Sequence, residues 1–98
     1  MRIVDKKILK YLRGRPCKVC KYSHSVAHHI KSQGSGGDDA EYNLMVLCLE
    51  HHRQVHDKGL RLFVEKYPHL VPELKEKGWE LDEFSNKWIR LTNEGWDD

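Results

Sequence analysis

Two pairs of potential metal ligands stand far apart in the chain but share the same internal spacing. Cys17 and Cys20 are separated by two residues, and so are Cys48 and His51. This spacing lets a turn wrap one tetrahedral ion, and three thiolates with one imidazole form a ligand set used by closed structural zinc sites. The set also uses every cysteine in the chain. Zn2+ is therefore the predicted structural metal, with His52 as the alternative fourth ligand.

Four histidines remain after the zinc site takes His51, namely His28, His29, His52 and His56. His52 and His56 are four positions apart and share one helix face, whereas His51 is rotated from His52 by about 100°. This geometry favours His51 as the zinc ligand. Two imidazoles on a helix and a third from a neighbouring strand can hold a divalent cation and leave positions open for water and substrate. A structural zinc site does not need this second set, so it indicates catalysis.

The pattern of apolar and turn-forming residues predicts the elements that position these side chains. Strands are expected at 22–31 and 43–48, joined by a loop at 32–39 that has three glycines and no apolar side chain. A helix at 49–59 carries the histidine pair. A basic helix at 5–13, with Asp5 as its cap, precedes the first cysteines. The predicted fold class is α+β, a small strand-strand-helix module with a zinc ribbon and flanking helices.

Beyond residue 59 the pattern predicts helices only. They are expected at 60–67, 72–78 and 79–91. The apolar residues of the last segment recur at offsets of 3, 4 and 3: Leu81, Phe84, Trp88 and Leu91. Its aromatic residues are predicted to pack in the core: Trp79, Phe84 and Trp88. Residues 1–98 are interpreted as one domain with a core at about 15–67 and a helical appendage at about 69–98.

Length and composition exclude several classes of protein. A chain of 98 residues with 33% charged and 39% hydrophobic residues has a modest core, and such chains often need a disulfide, a metal or a partner. Three cysteines cannot pair evenly, which argues against a secreted disulfide framework. No apolar run approaches the roughly 20 residues that span a bilayer. The first residues show no apolar signal segment, so a cytoplasmic protein without membrane contact is expected.

Charge is distributed unevenly although the net charge is only +2. Residues 1–31 contain nine lysines and arginines against one acid, a net charge of +8. Residues 61–98 contain six bases and nine acids, a net charge of −3. The asymmetry suggests that the amino-terminal part faces a polyanion. A basic helix that is merely solvated explains this charge equally well.

The segment 27–56, AHHIKSQGSGGDDAEYNLMVLCLEHHRQVH, resembles the HNH endonucleases. Their ββα-metal module, also called the His-Me finger, consists of two antiparallel strands, a connecting loop and a helix, with metal and scissile phosphate between them. The resemblance covers about residues 15–67. It comprises His-His-Ile at the end of the first strand, Asn43-Leu44 at the start of the second, and the helical histidine pair. A zinc ribbon is interleaved, as in many phage and bacterial members.

The resemblance implies a role for each matched residue. His29 would be the general base, and Asn43 would orient the loop and that base. His28, His52 and His56 would bind the catalytic metal, although many relatives have aspartate at the position of His28. Members with four zinc-binding cysteines have a second CxxC where this chain has Cys48-x2-His51.

The implied function is a metal-dependent endonuclease that hydrolyses DNA and nicks with low sequence specificity. Because imidazoles are softer than carboxylates and uncharged, we expect Mn2+ or another divalent transition metal at the catalytic site, with Mg2+ as the alternative. Five bases are candidates for contacts with DNA phosphates: Arg13, Arg15, Lys18, Lys31 and Arg53. A second copy of the chain or a phage or bacterial protein would supply targeting. The competing hypothesis is a zinc-ribbon adaptor that binds DNA or protein without catalysis.

Overall fold

Two strands and the helix that follows them lie at the centre of the molecule. The computed structural model describes residues 2–90. In chain order its elements are α1 (Lys6–Leu12), β1 (Ser25–His29), β2 (Leu44–Cys48), α2 (Leu49–Lys58), α3 (Leu60–Lys66), α4 (Val71–Glu76), β3 (Trp79–Asp82) and β4 (Lys87–Arg90). The order of β1, β2 and α2 confirms the predicted strand-strand-helix arrangement, and the mixture of elements confirms the α+β class.

The central strands form a two-stranded antiparallel ribbon. His28 lies opposite Met45, and His29 lies opposite Leu44. All five residues of β2 are buried, which explains why this strand is a continuous apolar run rather than an alternating one. Both strands are shorter than predicted, and β2 starts only at Leu44 because Glu41–Asn43 form a 3-10 turn.

The hydrophobic core lies between β2 and the helices that follow it. Its buried residues come from β2 and nearly every later element: Met45, Leu47, Val55, Phe63, Val64, Leu70, Leu74 and Trp79. Cys17 and Cys48 belong to the same cluster, so the predicted zinc ligands border the core. Within residues 2–90 no helix has the length and apolar character required to cross a bilayer.

The basic helix α1 lies on the surface. Oδ1 of Asp5 accepts hydrogen bonds from the amides of Lys7 at 3.0 Å and Ile8 at 3.3 Å, which confirms the predicted cap. None of the residues of α1 is buried. The helix is therefore held by its ends and by partly buried side chains, and its charged residues remain in solvent.

The carboxy-terminal segment contains a β-hairpin, so the predicted helix at 79–91 is wrong. β3 and β4 pair antiparallel. Trp79 is buried in the core and Trp88 packs against it, as predicted, but Phe84 at the tip is fully exposed. The expected core position of Phe84 is therefore also wrong. Residues 91–98, in which the predicted helix would end, lie outside the described part of the chain.

Local turn chemistry explains why the hairpin forms despite helical spacing of its apolar residues. The carboxylate of Asp82 accepts hydrogen bonds from the amide of Phe84 at 3.4 Å and the hydroxyl of Ser85 at 2.8 Å. Asn86 has a φ of 59°, in the left-handed region that asparagine tolerates better than most residues. These features close a four-residue turn, after which Lys87 begins β4. The apolar residues of two short strands and their turn thus happen to have the spacing that is typical of a helix.

The hairpin and the helix before it pack against the residues that lead into β2. The indole of Trp79 donates a hydrogen bond to the carbonyl oxygen of Tyr42 at 2.7 Å. The guanidinium of Arg90 lies over the ring of Tyr42, 3.8 Å from its centroid. Nζ of Lys77 donates to the carbonyl oxygen of Leu44 at 2.5 Å. Contacts from residues 77–90 thus hold the backbone around residue 43 in place.

The loop between β1 and β2 closes tightly at Gly37. Its amide donates to the carbonyl oxygen of Ser32 at 2.9 Å. A Cβ atom at residue 37 would lie 1.8 Å from the carbonyl oxygen of Lys31 and 2.9 Å from Nδ2 of Asn43. Only glycine fits this approach of two backbone segments. The loop is therefore a packed structure despite its polar composition.

We expect Gly37→Ala to destabilise the protein because the added methyl group overlaps a backbone carbonyl that cannot move freely. Overpacking of this kind costs about 1 to 3 kcal/mol. Denaturant unfolding of the zinc-loaded protein measures the change. Gly34→Ala is the matched control in the same loop, since a Cβ at residue 34 would meet nothing within 4 Å. Equal stability of the two variants would contradict the tight closure at Gly37.

Candidate metal centres

Four predicted zinc ligands converge where β2 meets α2. Cys48 is the last residue of β2, His51 lies in the first turn of α2, and Cys17 and Cys20 come from one tight turn. The amide of Lys21 closes this turn by donating to the carbonyl oxygen of Cys17 at 2.9 Å. The four ligand atoms lie within 4.8 Å of one another.

The separations between these atoms match a tetrahedral site. Ligands at about 2.0 to 2.3 Å from one ion are roughly 3.3 to 3.8 Å from each other. Sγ of Cys20 is 3.8 Å from Sγ of Cys48, and Nδ1 of His51 is 3.7 Å from Sγ of Cys17. Nδ1 of His51 is 3.2 Å from Sγ of Cys48. The four side chains are compatible with one zinc ion.

The environment of Cys17 favours its thiolate form, the form that binds zinc. Burial raises the pKa of this thiol, but hydrogen bonds from the backbone amides of Cys20 and Cys48 outweigh burial and bring the pKa down to about 6. The pKa of an ordinary cysteine thiol is about 8.5. The backbone around the cluster thus stabilises negative charge at the sulfur before any cation contributes.

The geometry also separates the two candidates for the fourth zinc ligand. His51 faces the thiols, whereas His52 belongs to a different group with His28 and His56. Adjacent residues on a helix point about 100° apart, so both cannot serve the same small site. The structure places His51, rather than His52, within metal-binding distance of the three thiols.

The second group joins β1 to α2 through three imidazoles. Ligand nitrogens of His28, His52 and His56 lie within 4.8 Å of one another. Nε2 of His52 and Nε2 of His56 are 3.1 Å apart. The ring centroid of His28 is 5.1 Å from that of His52 and 5.4 Å from that of His56. The arrangement can accept one cation and leaves the coordination sphere incomplete for other ligands.

Burial favours the neutral form of two of these histidines, His28 and His52. Desolvation, followed by the charges of His52 and His56, lowers the pKa of His28 to about 3. Desolvation and then the charge of His56 also lower the pKa of His52. Nδ1 of His28 is buried and has no hydrogen-bond partner among residues 2–90. Neutral imidazole is the form that coordinates metals, and coordination is one way to satisfy such a nitrogen.

His29, the predicted general base, is the last residue of β1. Strand geometry turns consecutive side chains to opposite faces, and His29 is still paired in the ribbon, opposite Leu44. Besides the effects of burial and the helical histidines, the charge of His29 lowers the pKa of His28. Nε2 of His29 lies 2.8 Å from Oδ1 of Asp39. The ring of His29 is thus held by a carboxylate, and His29 directly follows His28 of the three-histidine group in sequence.

Asn43, predicted to orient the loop, is buried, and its side chain forms hydrogen bonds at both ends of that loop. Its Oδ1 accepts a hydrogen bond from the amide of Lys31 at 2.7 Å. Its Nδ2 donates to the carbonyl oxygens of Lys31 at 3.0 Å and Asp38 at 2.9 Å. The side chain of Asn43 therefore connects Lys31, two residues after His29, to Asp38 near the end of the loop. These contacts support an orienting role, which stays a prediction.

The five bases predicted to contact DNA are all exposed: Arg13, Arg15, Lys18, Lys31 and Arg53. Two of them also make contacts within the protein. The guanidinium of Arg15 lies over the ring of Tyr11, 4.2 Å from its centroid. Nζ of Lys18 is 3.7 Å from a carboxylate oxygen of Glu73. Their binding to DNA stays a prediction.

Three residues near His29 were missed by sequence reasoning, and one of them is Gln33, whose Nε2 lies 3.3 Å from Nε2 of His29. Asp39 contacts His29, and Arg2 donates from Nη2 to Oδ1 of Asp39 at 2.7 Å. Nε of Arg2 also donates to the carbonyl oxygen of Gly37 at 2.7 Å. The only available signal was a pair of acids in a glycine-rich loop. No spacing rule connects that loop to the second residue of the chain.

No family model, curated protein or solved structure matches the chain. The resemblance to HNH endonucleases therefore depends on the residues themselves and on their order along the chain.

We expect His51→Ala to lose bound zinc and His52→Ala to retain it. Structural zinc in small domains has an apparent binding free energy of roughly 10 to 16 kcal/mol at neutral pH. Removal of one ligand in four should cost about 3 kcal/mol or more on the same scale. Elemental analysis of the purified variants gives zinc per chain, and thermal unfolding gives the stability. Loss of zinc from His52→Ala alone would contradict the assignment of His51.

Proposed function

We propose that the chain is a metal-dependent endonuclease of the HNH type that hydrolyses DNA phosphodiester bonds. The observation that carries this proposal is the group formed by His28, His52 and His56, whose ligand nitrogens lie within 4.8 Å of one another. His29 directly follows His28 in sequence, at the end of β1. The proposed product is a nick, made with low sequence preference.

Stability does not account for the three-histidine group. Burial of His28 is unfavourable for its charged form, and an unpaired buried polar atom costs about 1 to 3 kcal/mol. An apolar side chain of similar size would pack between β1 and α2 without that cost. Strongly shifted pKa values in a polar cluster are more common at functional sites than elsewhere. A zinc-ribbon adaptor would need only the ligands at the β2–α2 junction.

In the proposed reaction, the oxygen atom of a water molecule bonds to phosphorus while the bond from phosphorus to the 3′ oxygen breaks. The proton released by the water passes to His29, because a neutral imidazole can accept a proton at physiological pH. The departing 3′ oxygen takes its proton from solvent, so the products are a 5′-phosphate and a 3′-hydroxyl. Arg53, next to His52 on α2, is the positively charged side chain that we assign to the departing oxygen.

His28, His52 and His56 are the residues that would hold the catalytic cation. When bound, a divalent cation supplies Lewis-acid stabilisation of the charge that develops on the phosphate oxygens. These three ligands bring no negative charge and are softer than carboxylates. The donor set therefore suits Mn2+, Co2+ or Ni2+ better than Mg2+.

The charge distribution supports DNA as the substrate. Residues 1–31 carry a net charge of +8, and α1 in that segment buries none of its residues. Lys31, three residues after His28, and Arg53, directly after His52, are exposed. Contacts from such bases to phosphates position the backbone without reading the bases. Sequence selection is therefore assigned to a partner, either a second copy of the chain or another protein.

We expect wild-type protein with Mn2+ to nick supercoiled plasmid and His29→Ala to nick it about 10²- to 10⁴-fold more slowly, the usual contribution of a general base. Gel analysis of relaxed plasmid measures the rate. His24→Ala, which removes an exposed histidine that lies in neither histidine group, is the matched control and should retain activity. An inactive wild type with Mn2+, Co2+, Ni2+ and Mg2+ would favour the adaptor instead.

We also expect the nicking rate to be about tenfold or more higher with Mn2+ than with Mg2+, because three imidazoles form a soft, uncharged ligand set. The comparison uses zinc-loaded protein at equal concentrations of each added metal. His56→Ala should reduce the apparent Mn2+ affinity while zinc content stays unchanged. Fastest cleavage with Mg2+ would contradict the assigned ligands.

A further inference from the structure

Asp39 is a buried carboxylate at the end of the glycine-rich loop, with a side chain that is 2% exposed. Its Oδ1 lies 2.8 Å from Nε2 of His29 and accepts a hydrogen bond from Arg2 at 2.7 Å. Its Oδ2 accepts a hydrogen bond from the amide of Asp5 at 3.0 Å. A buried carboxylate is costly unless it is paired and hydrogen-bonded. Both oxygens of Asp39 meet that condition, and one of the partners is His29.

We propose that Asp39 is the positioning residue of His29. An ionised carboxylate has only acceptors, and at 2.8 Å it is a closer partner of Nε2 than the side-chain amide of Gln33 at 3.3 Å, so we assign the ring proton to Nε2 of His29. In the neutral form of the ring, Nδ1 is then the bare nitrogen, and the one that can accept a proton from water. A carboxylate in this position fixes both the tautomer and the orientation of an imidazole. The identification of Nδ1 as the proton acceptor rests on the proposed function; the contact itself does not.

The surroundings of Asp39 keep it ionised. The hydrogen bond with His29 lowers the pKa of this carboxyl group, and the amide of Asp5 and the charge of Arg2 add to the effect. Together they outweigh burial, which acts in the opposite direction. Asp39 is therefore an acceptor towards His29 and does not compete for its proton.

The amino-terminal residues hold this carboxylate in place. Besides its bond to Asp39, Arg2 donates to the carbonyl oxygen of Gly37 at 2.7 Å. The amide of Ile3 donates to Oδ1 of Asp38 at 2.6 Å, and the amide of Asp39 donates to the carbonyl oxygen of Ile3 at 2.8 Å. The start of the chain and the loop thus form one hydrogen-bonded unit around the carboxylate behind His29.

The contact can be tested without any cleavage assay. In zinc-loaded protein with 15N-labelled histidine, we expect the ring proton of His29 to reside on Nε2 and to give a downfield resonance protected from solvent exchange. Asp39→Asn should move this resonance upfield or broaden it by exchange, since a neutral amide is the weaker acceptor. Asp38→Asn is the matched control: it removes one negative charge from the same loop without a contact to His29.

Two results would overturn the proposal in this experiment. One is a ring proton on Nδ1 of His29 in the wild-type protein, which also decides the matter if Asp39→Asn fails to fold. The other is a His29 resonance that is identical in wild type and in folded Asp39→Asn. His29→Ala assigns the resonance by removing it.

Kinetics then test whether Asp39 acts through His29. We expect Asp39→Asn to lower kcat for plasmid nicking about 10- to 100-fold, with KM and zinc content unchanged, by analogy with the outer-shell partners that orient metal-bound imidazoles. In the His29→Ala background the same substitution should have no further effect. If the fall in kcat of the double variant equals the product of the two single falls, Asp39 has a structural role, and the proposal is overturned. A wild type that cleaves nothing would contradict the proposed function only, and the resonance would still decide the contact.

Discussion

The junction between β2 and α2 is the point on which both histidine-containing groups depend. Cys48 ends the strand, and the helix starts at the next residue, so His51 and His52 fall in its first turn. Because the helix rotates by about 100° per residue, His51 faces the cysteines and His52 faces β1. Zinc bound by the four side chains at the junction would lock the direction of α2. That direction also determines whether His52 reaches His28 across the ribbon, so one junction positions both sites.

A second constraint is that the loop next to His29 has no apolar side chain from residue 32 to residue 39. It cannot be held by hydrophobic burial, so hydrogen bonds must order it. Asn43 makes two hydrogen bonds to the backbone of Lys31, just before the loop, and one to Asp38 within it, and Asp39 connects the loop to the amino-terminal residues. Networks of this kind are stable only when each buried polar group is satisfied. The same requirement makes the loop rigid enough to orient His29.

Short-range patterns were predictable from the sequence, and long-range pairings were not. The zinc ligands and the pair formed by His52 and His56 depend on spacings of two to four residues, which helix and turn geometry convert directly into placement. The contact between Arg2 and Asp39 joins residues 37 positions apart, and many arginines could have made it. The prediction of a helix at 79–91 failed for a different reason. The hydrogen bonds of Asp82 within the turn outweighed an apolar spacing that also fits a helix.

The hairpin matters for the site because it supports Asn43 from the opposite side. Trp79 bonds to the carbonyl oxygen of Tyr42, and Lys77 bonds to that of Leu44, so the backbone is fixed on both sides of Asn43. The side chain of Asn43 in turn holds the loop that carries Asp39. A residue that is fixed by its neighbours loses little entropy when it makes its own hydrogen bonds. The carboxy-terminal segment, far from the metal ligands in sequence, thereby contributes to the order of the loop beside His29.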